Sequence, residues 1–550
     1  MRSDQYTYVI VGGGPAGCVL ASRLSEDPLV RVLLLEAGPQ DKDPYIHWPA
    51  GFYKLTSSTK NGWGYRTAPL AHLDGRRMWF PQGRVLGGGG SINAQVFTRG
   101  NPKDYDEWAE EEGCDGWSHA EVLPYFRRFE DNERFSNAWH GTGGPIGVSD
   151  PISPHRMSKV FVRAAQEAGL PYNPDFNGER QEGCGLYQVT QRRGRRSSAA
   201  VECLRPAMAR PNLSVRTGAM ATRILIEGGR AAGVEYAEHD GSARRTAHAE
   251  AEVLITSGAI GSPKLLLLSG IGPADELRAL GIAVVHDLPG VGCNLQDHID
   301  VYVISELSCS YSYNKHIRLH RQLWAGIQYY AFGSGPVTSN LAEAGGFWFA
   351  DPKARSPDVQ FHFLPGSGLE AGVTQLCEHG CTLNSAFLRP RSRGTVRLES
   401  ADPFAHPLID PNYFAEEYDR AMSIGGLRIA REIMAQPAFR PYLRVERLPG
   451  PEVQSDAEVL AYARQHGKTD YHPVGTCKMG VDPMAVVDPE LKVRGLEGLR
   501  VCDSSIMPRL VSSNTNAPTL MIGEKAADLV KGVGRELGMA PEESHAAALS

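Results

Sequence analysis

The chain has 550 residues, 42% of them hydrophobic and 22% charged, a globular balance that excludes wholesale disorder. At roughly 150 residues per domain, the length corresponds to about two to four structural units. The net charge of −6 excludes the basic excess that nucleic-acid binding requires. Glycine is the outlier, with 60 residues. Such enrichment without a collagen period points to tight turns and close backbone approaches to a ligand.

Taken in chain order, Tyr6–Val11 reads as a short buried strand. The run Gly12-Gly13-Gly14-Pro15-Ala16-Gly17 follows, then a helical pattern with Val19, Leu20 and Leu24 on one face. Arg31–Leu35 is a second buried strand and ends at Glu36, which completes a β-α-β unit. Leu213–Val215, Thr222–Ile226 and Val253–Ile255 read as further strands, and Ala274–Leu280 as a short helix. From about Val301 to Gly480 apolar and polar residues alternate, as in Val359–Phe363 and Thr395–Leu398. That alternation predicts an antiparallel sheet. Leu499–Asp503 reads as a strand that rejoins the first sheet, and residues 536–550 as a loosely held polar tail.

The first glycine run has the context that a G-x-G-x-x-G signal needs: a strand before it, a helix after it, and an acid at the end of the next strand. Gly12 permits the tight turn, Gly14 lets the backbone approach a pyrophosphate, and Gly17 lets the helix pack close on the strand. Glu36 can accept hydrogen bonds from an adenosine ribose, and its charge disfavours a 2′-phosphate. This loop alone does not separate FAD from NAD.

The ten cysteines form no disulfide framework, so reduced thiols and a cytoplasmic location are expected. Cys377 and Cys381, with His379 between them, lack the further ligands of a zinc site, so no metal is expected. No apolar run approaches the ~20 residues of a membrane span. No transmembrane segment is expected, which leaves peripheral contact with a membrane open. No leader pattern precedes Tyr6.

Four further stretches carry a resemblance. They are Gly83–Asn93 (GRVLGGGGSIN), Gly258–Gly272 (GAIGSPKLLLLSGIG), Tyr471–Gly480 (YHPVGTCKMG) and Asn514–Thr519 (NTNAPT). Together with Leu388–Tyr413, they make the chain similar to the glucose-methanol-choline (GMC) oxidoreductases from about Tyr6 to Val530. The resemblance implies a Rossmann-type FAD-binding domain of α/β type and an α+β substrate domain built on an antiparallel sheet. The expected division is 1–155, 196–300 and 481–535 for the first, and 156–195 and 301–480 for the second.

By the same resemblance Gly12, Gly14, Gly17 and Glu36 hold the ADP half of FAD. Arg84, Gly88 and Asn93 line the flavin side, Ala221 reaches the adenine region, and Asp503 sits at the ribityl–pyrophosphate stretch. Trp63 and Tyr471 either lie near the flavin or belong to the core. Some relatives carry a histidine that bonds covalently to flavin where this chain has Ile92, so non-covalent FAD is expected. His472 and Asn514 match the family's active-site pair, with Asn516 as an alternative donor or a flavin contact. A near-neutral imidazole suits removal of a hydroxyl proton, and an amide can hold the substrate oxygen. His362 reads as a half-buried strand histidine rather than a pocket residue, and Arg192–Arg196 (RRGRR) as a solvated turn rather than a phosphate or membrane contact.

The implied activity is FAD-dependent oxidation of a primary alcohol, by proton abstraction and hydride transfer to flavin N5. The expected partners are a small alcohol and an acceptor, either oxygen or quinone-like. The alternative is a hydroxynitrile lyase-like enzyme on the same fold, with FAD as scaffold.

Overall fold

The computed structural model describes residues 4–238 and 242–532, so the expected tail of residues 536–550 lies outside the described part. The first sheet has seven strands. Its central pair is Gln5–Val11 and Val32–Glu36, parallel, with Val9 opposite Leu33. Every residue of Val32–Glu36 is buried, which is why that strand reads as an unbroken apolar run. Leu213–Thr217 extends the sheet in parallel beyond it. On the other side Gln5–Val11 pairs with Arg245–Ile255. An antiparallel pair, Met220–Glu227 and Arg230–Ala237, continues the sheet from there. Gly228 and Gly229 join that pair at φ +57° and +82°, a turn that favours residues without Cβ. Leu499–Val501 pairs in parallel with Arg245–Ile255, so the chain returns to its first sheet near its end.

The helix Pro15–Leu24 crosses between the two central strands and buries Val19, Leu20 and Leu24. Its close approach depends on glycine. A Cβ on Gly17 would lie 2.0 Å from the Gly12 carbonyl oxygen, and one on Gly12 2.4 Å from that of Thr256.

The second sheet also has seven strands, all antiparallel. Its spatial order is Leu443–Leu448, Ile299–Leu307, Gly380–Phe387, Val359–Leu364, Ala344–Trp348 and Gly183–Leu186, with Lys468–Thr469 beside Ile299–Leu307. The helix Glu417–Met434 packs on one face, over a core that includes Val359, Phe361 and Phe363. Strand alternation therefore turns Gln360 and His362 to the opposite face.

Two expectations are corrected by the fold. Thr395–Arg397 does not join the antiparallel sheet; it forms a separate ribbon with Leu408–Asp410. Alternation identifies a strand but not its partner. The Arg192–Arg196 cluster is a hairpin whose Arg193 and Gly194 turn has φ +52° and +71°. Only part of it is solvated, because Arg196 is buried.

Candidate active site

A single crevice runs from the carboxyl ends of the first sheet's strands to the polar face of the second sheet. At one end Glu36 is buried, and its carboxylate accepts from Gly13 N and Gly38 N, both at 2.7 Å. Burial pushes Glu36 up to about 7 against these two bonds. A carboxylate has about four acceptor sites, so two remain for a ligand's hydroxyls. Ala221 lines the same end.

Next along the crevice is the start of the helix Pro15–Leu24. Gly14 caps it without a side-chain hydrogen bond, and no acid stands in its first turn. Its free N–H groups are therefore available to an anion. The helix Asn516–Lys531 also begins at the crevice, again with no side-chain cap and no acid in the first turn.

The second glycine cluster lies against the first. Gly87 N donates to the Gly13 carbonyl at 2.6 Å, and a Cβ on Gly88 would lie 2.9 Å from Gly14 Cα. Arg196 holds this loop from behind. Its guanidinium donates to Ile46 O at 2.6 Å, Gly90 O at 3.1 Å, Asn93 Oδ1 at 2.6 Å and Asn93 O at 2.8 Å. Burial lowers Arg196 to about 9, and its hydrogen-bond partners are carbonyl and amide oxygens. Asp503 lines the crevice while its carboxylate accepts from Gly258 N at 2.8 Å, Ser262 Oγ at 2.5 Å and Ser505 N at 2.8 Å. It thereby anchors the start of the helix Gly258–Leu268.

At the far end stand His472 and Asn514. Tyr471 has φ +67°, a left-handed conformation that non-glycine residues rarely adopt. His472 N donates to Asp297 Oδ1 at 2.7 Å, and its ring Nδ1 lies 3.0 Å from His298 Nδ1. The two neighbours Asp297 and His298 thus hold the backbone and the ring of the same residue. His298 Nε2 lies 3.1 Å from the Leu388 carbonyl oxygen. A carbonyl can only accept, so His298 Nε2 carries its proton. Burial lowers His298 to about 4, so the ring is neutral and its Nδ1 offers a lone pair. His472 Nδ1 must then donate, which leaves the lone pair of His472 on Nε2.

Asn514 completes the chain of donors. Its Oδ1 accepts from Thr98 Oγ1 and from Gln360 Nε2, both at 3.0 Å. That turns its Nδ2 toward His472 Nε2, 3.1 Å away. Burial, then the proximity of His298, His362 and the Lys468 ammonium, holds His472 well below the usual histidine range.

Behind this pair lies a cluster of buried charge. Lys468 Nζ donates to Asp300 Oδ2 at 2.6 Å and lies 3.4 Å from Glu370 Oε1. Asp300 Oδ1, Asp470 Oδ2 and His362 Nδ1 have no hydrogen-bond partner among the described residues. One ligand atom of each residue lies within 4.8 Å of the other two's. Burial, with the charge of Asp470 acting on Asp300, pushes both carboxyls up to about 7.

The crevice therefore brings together Gly12, Gly14, Glu36, Trp63, Gly88, Asn93, Ala221, His472, Asp503, Asn514 and Asn516. Gly17 lies behind the wall as a packing contact. Arg84 does not line it; its exposed guanidinium lies 5.0 Å from the Trp63 ring centroid. Trp63 both lines the crevice and stacks on buried Tyr65, so the two readings of it are compatible. His362 is a correction: it is buried, lines the crevice, and lies 3.1 Å from Gln360 Nε2. Sequence reasoning missed Asp297, His298, Arg196 and Gln360. The adjacent acid and histidine before an apolar strand, Asp297-His298-Ile299, were the available signal for the first two.

Two family models described as GMC oxidoreductase match residues 6–300 and 390–523. The chain belongs to the GMC oxidoreductase family. Its members are FAD flavoproteins, and this GMC chain is an oxidoreductase. It is 45% identical over 532 residues to an alcohol dehydrogenase (acceptor) of Pseudomonas putida, covering 96% of this chain and 95% of that one. It is 44% identical over 538 residues to the mitochondrial choline dehydrogenase of Mus musculus, covering 96% and 90%. Among solved structures, pyridoxine 4-oxidase from Mesorbium loti matches with TM-score 0.86 at 31% identity, covering 95% of this chain and 98% of that one. An FAD-dependent oxidoreductase from Chaetomium thermophilum matches with TM-score 0.88 at 28% identity, covering 96% and 99%. This GMC chain shares the overall architecture of those structures over nearly its whole length.

Proposed function

We propose that this chain oxidises a primary alcohol to an aldehyde with non-covalently held FAD. One observation carries the reading. A neutral imidazole with its lone pair fixed on Nε2 faces an amide N–H, in the crevice that also holds the glycine cradle and Glu36.

The residues present fit FAD. The uncapped helix start at Gly14 and the close glycine loops would take the pyrophosphate, and Glu36 the ribose hydroxyls. Gly88, Asn93 and Asn516 would border the flavin ring. The bound flavin supplies the hydride acceptor at N5. A substrate hydroxyl that replaces the 3.1 Å contact between His472 Nε2 and Asn514 Nδ2 would donate its proton to the first and accept from the second. As the proton leaves, the oxygen gains negative charge and the bond from Asn514 strengthens. His472 keeps its Nδ1 proton on His298 throughout, which prevents the ring from presenting the wrong nitrogen.

The test is anaerobic. Addition of a primary alcohol should bleach the flavin absorbance, and substrate consumed with the flavin still oxidised would favour lyase chemistry instead. A panel of alcohols, each assayed with oxygen and with a quinone-like dye, would identify substrate and acceptor.

Ile92 is buried against Ile46, Leu55 and Val85 and offers no nucleophile to the flavin. Acid precipitation should therefore release the yellow flavin into the supernatant. Flavin that stays with the pellet would show a covalent bond.

His298 acts through His472, as a positioning residue. In His298→Leu the Nδ1 acceptor is gone, and His472 is free to place its proton on Nε2. The lost bond is worth about 0.5–1.5 kcal/mol, about tenfold at its upper end. Flavin reduction should slow by about that factor. His298→Asn, whose Oδ1 can accept near the same place, should restore much of the rate. Equal rates in the two variants would assign His298 a merely structural role.

A further inference from the structure

The helix Leu319–Phe332 presents its apolar side to solvent. It has 14 residues and buries only Ala325 and Tyr329. Leu319, Leu323, Ile327 and Tyr330 fall at i, i+4, i+8 and i+11, the spacing that normally faces a core. Here they are 71%, 62%, 52% and 70% exposed, and Trp324 beside them is 57% exposed. A contiguous apolar stripe of this kind marks a docking surface rather than scattered surface residues.

Charge decides what docks. No Asp or Glu occurs between Glu306 and Glu343, in a chain whose net charge is −6. The same stretch carries Lys315, Arg318 and Arg321 at the helix's amino end. Arg318 pairs with Glu378 at 2.8 Å, and that pair is exposed. The Arg192–Arg196 hairpin adjoins this region: a Cβ on Gly194 would lie 3.1 Å from Thr338 Cγ2, and the helix packs on Pro336–Thr338. Arg193 and Arg195 of that hairpin are exposed.

We propose that this helix lies in the surface of an anionic lipid bilayer. Leucine, isoleucine and aromatic side chains would enter the acyl boundary, and the cations would meet the headgroups. Trp324 and Tyr330 have the amphipathic rings that settle at that depth. No helix among the described residues is long and apolar enough to cross a membrane, so the contact is in the plane of the surface. A second copy of the chain is the poorer occupant. A two-fold pairing would put Lys315, Arg318 and Arg321 of both copies into one interface, with no acid from residues 307–342 of either to meet them. The helix also touches the segment that leads into the crevice wall. Tyr330 OH accepts from Trp48 Nε1 at 3.1 Å, and Phe52, shortly after Trp48, lines the crevice.

The experiment uses the FAD-loaded full chain with sedimented vesicles. The wild type should co-sediment with vesicles of phosphatidylcholine and phosphatidylglycerol, and weakly with phosphatidylcholine alone. Salt at about 1 M, where the Debye length is about 3 Å, should weaken the anionic preference. Leu323→Glu/Ile327→Glu and, separately, Arg318→Glu/Arg321→Glu should each reduce partitioning by about tenfold or more. Turnover with a soluble dye should be unchanged in both, which shows that they are folded. Wild-type protein left in the supernatant with both vesicle types would overturn the proposal. So would vesicle binding that survives the Leu323→Glu/Ile327→Glu change. A dimer on gel filtration that this change dissociates, with no vesicle binding, would assign the face to a second copy and likewise overturn it.

Discussion

His472→Ala is expected to slow flavin reduction by about 10²–10⁴-fold, the usual contribution of a general base. Fold and flavin content should be preserved, because His472 N keeps its bond to Asp297 whatever the side chain. The pH profile of the wild type provides a second readout. Protonated imidazole cannot accept the hydroxyl proton, so the rate falls where His472 becomes charged. Burial, with His298, His362 and the Lys468 ammonium nearby, moves that point well below the ordinary histidine value of 6.5. The limiting rate of reduction should therefore be flat through neutral pH and decline only in more acidic solution. Anaerobic stopped-flow measurements check both. Reduction of His472→Ala within a few-fold of wild type would remove this residue from the chemistry.

Asn514→Ala is expected to lower the limiting reduction rate by about 10²–10³-fold, the cost of losing one donor to a developing oxyanion. Substrate binding should weaken less, by about 0.5–1.5 kcal/mol, since the ground-state oxygen is neutral. The amide is fixed in the orientation that donation requires, because Thr98 and Gln360 both donate to its oxygen and leave Nδ2 to point inward. Asn514→His should keep substantial activity by supplying an N–H at the same place. Asn516→Ala is the control. It should disturb flavin binding or potential before substrate handling, because Asn516 stands against Gly90 of the flavin-side loop. Single-turnover kinetics in which Asn516→Ala loses the chemical step and Asn514→Ala retains it would exchange the two roles.

The parts of the fold legible in the sequence are those that local physics decides. The unit Gln5–Glu36 could be read because a buried parallel strand, a glycine turn and an amphipathic helix each have a short-range pattern. The second sheet was legible as alternation. Its pairing was not, and Thr395–Arg397 went to a different ribbon because register and partner depend on surfaces far away in the chain.

The site divides in the same way. The glycine run and Glu36 could be read from the sequence by their spacing, while the His472 and Asn514 pair and the isoleucine at position 92 took their meaning from the family resemblance. Only the tertiary structure decided how that pair is armed. His298 lies 174 positions from His472, and Arg196 103 positions from the Asn93 that it holds. His362 belongs to a strand whose two faces were equally readable. The Glu417–Met434 helix, by covering Phe361 and Phe363, sent His362 and Gln360 to the crevice. The same holds for the Leu319–Phe332 stripe, whose spacing reads as a core face and which packing left in solvent. Periodicity shows that residues share a face. Which face meets core, ligand or water depends on contacts between segments distant in sequence, and those exist only once the chain has folded.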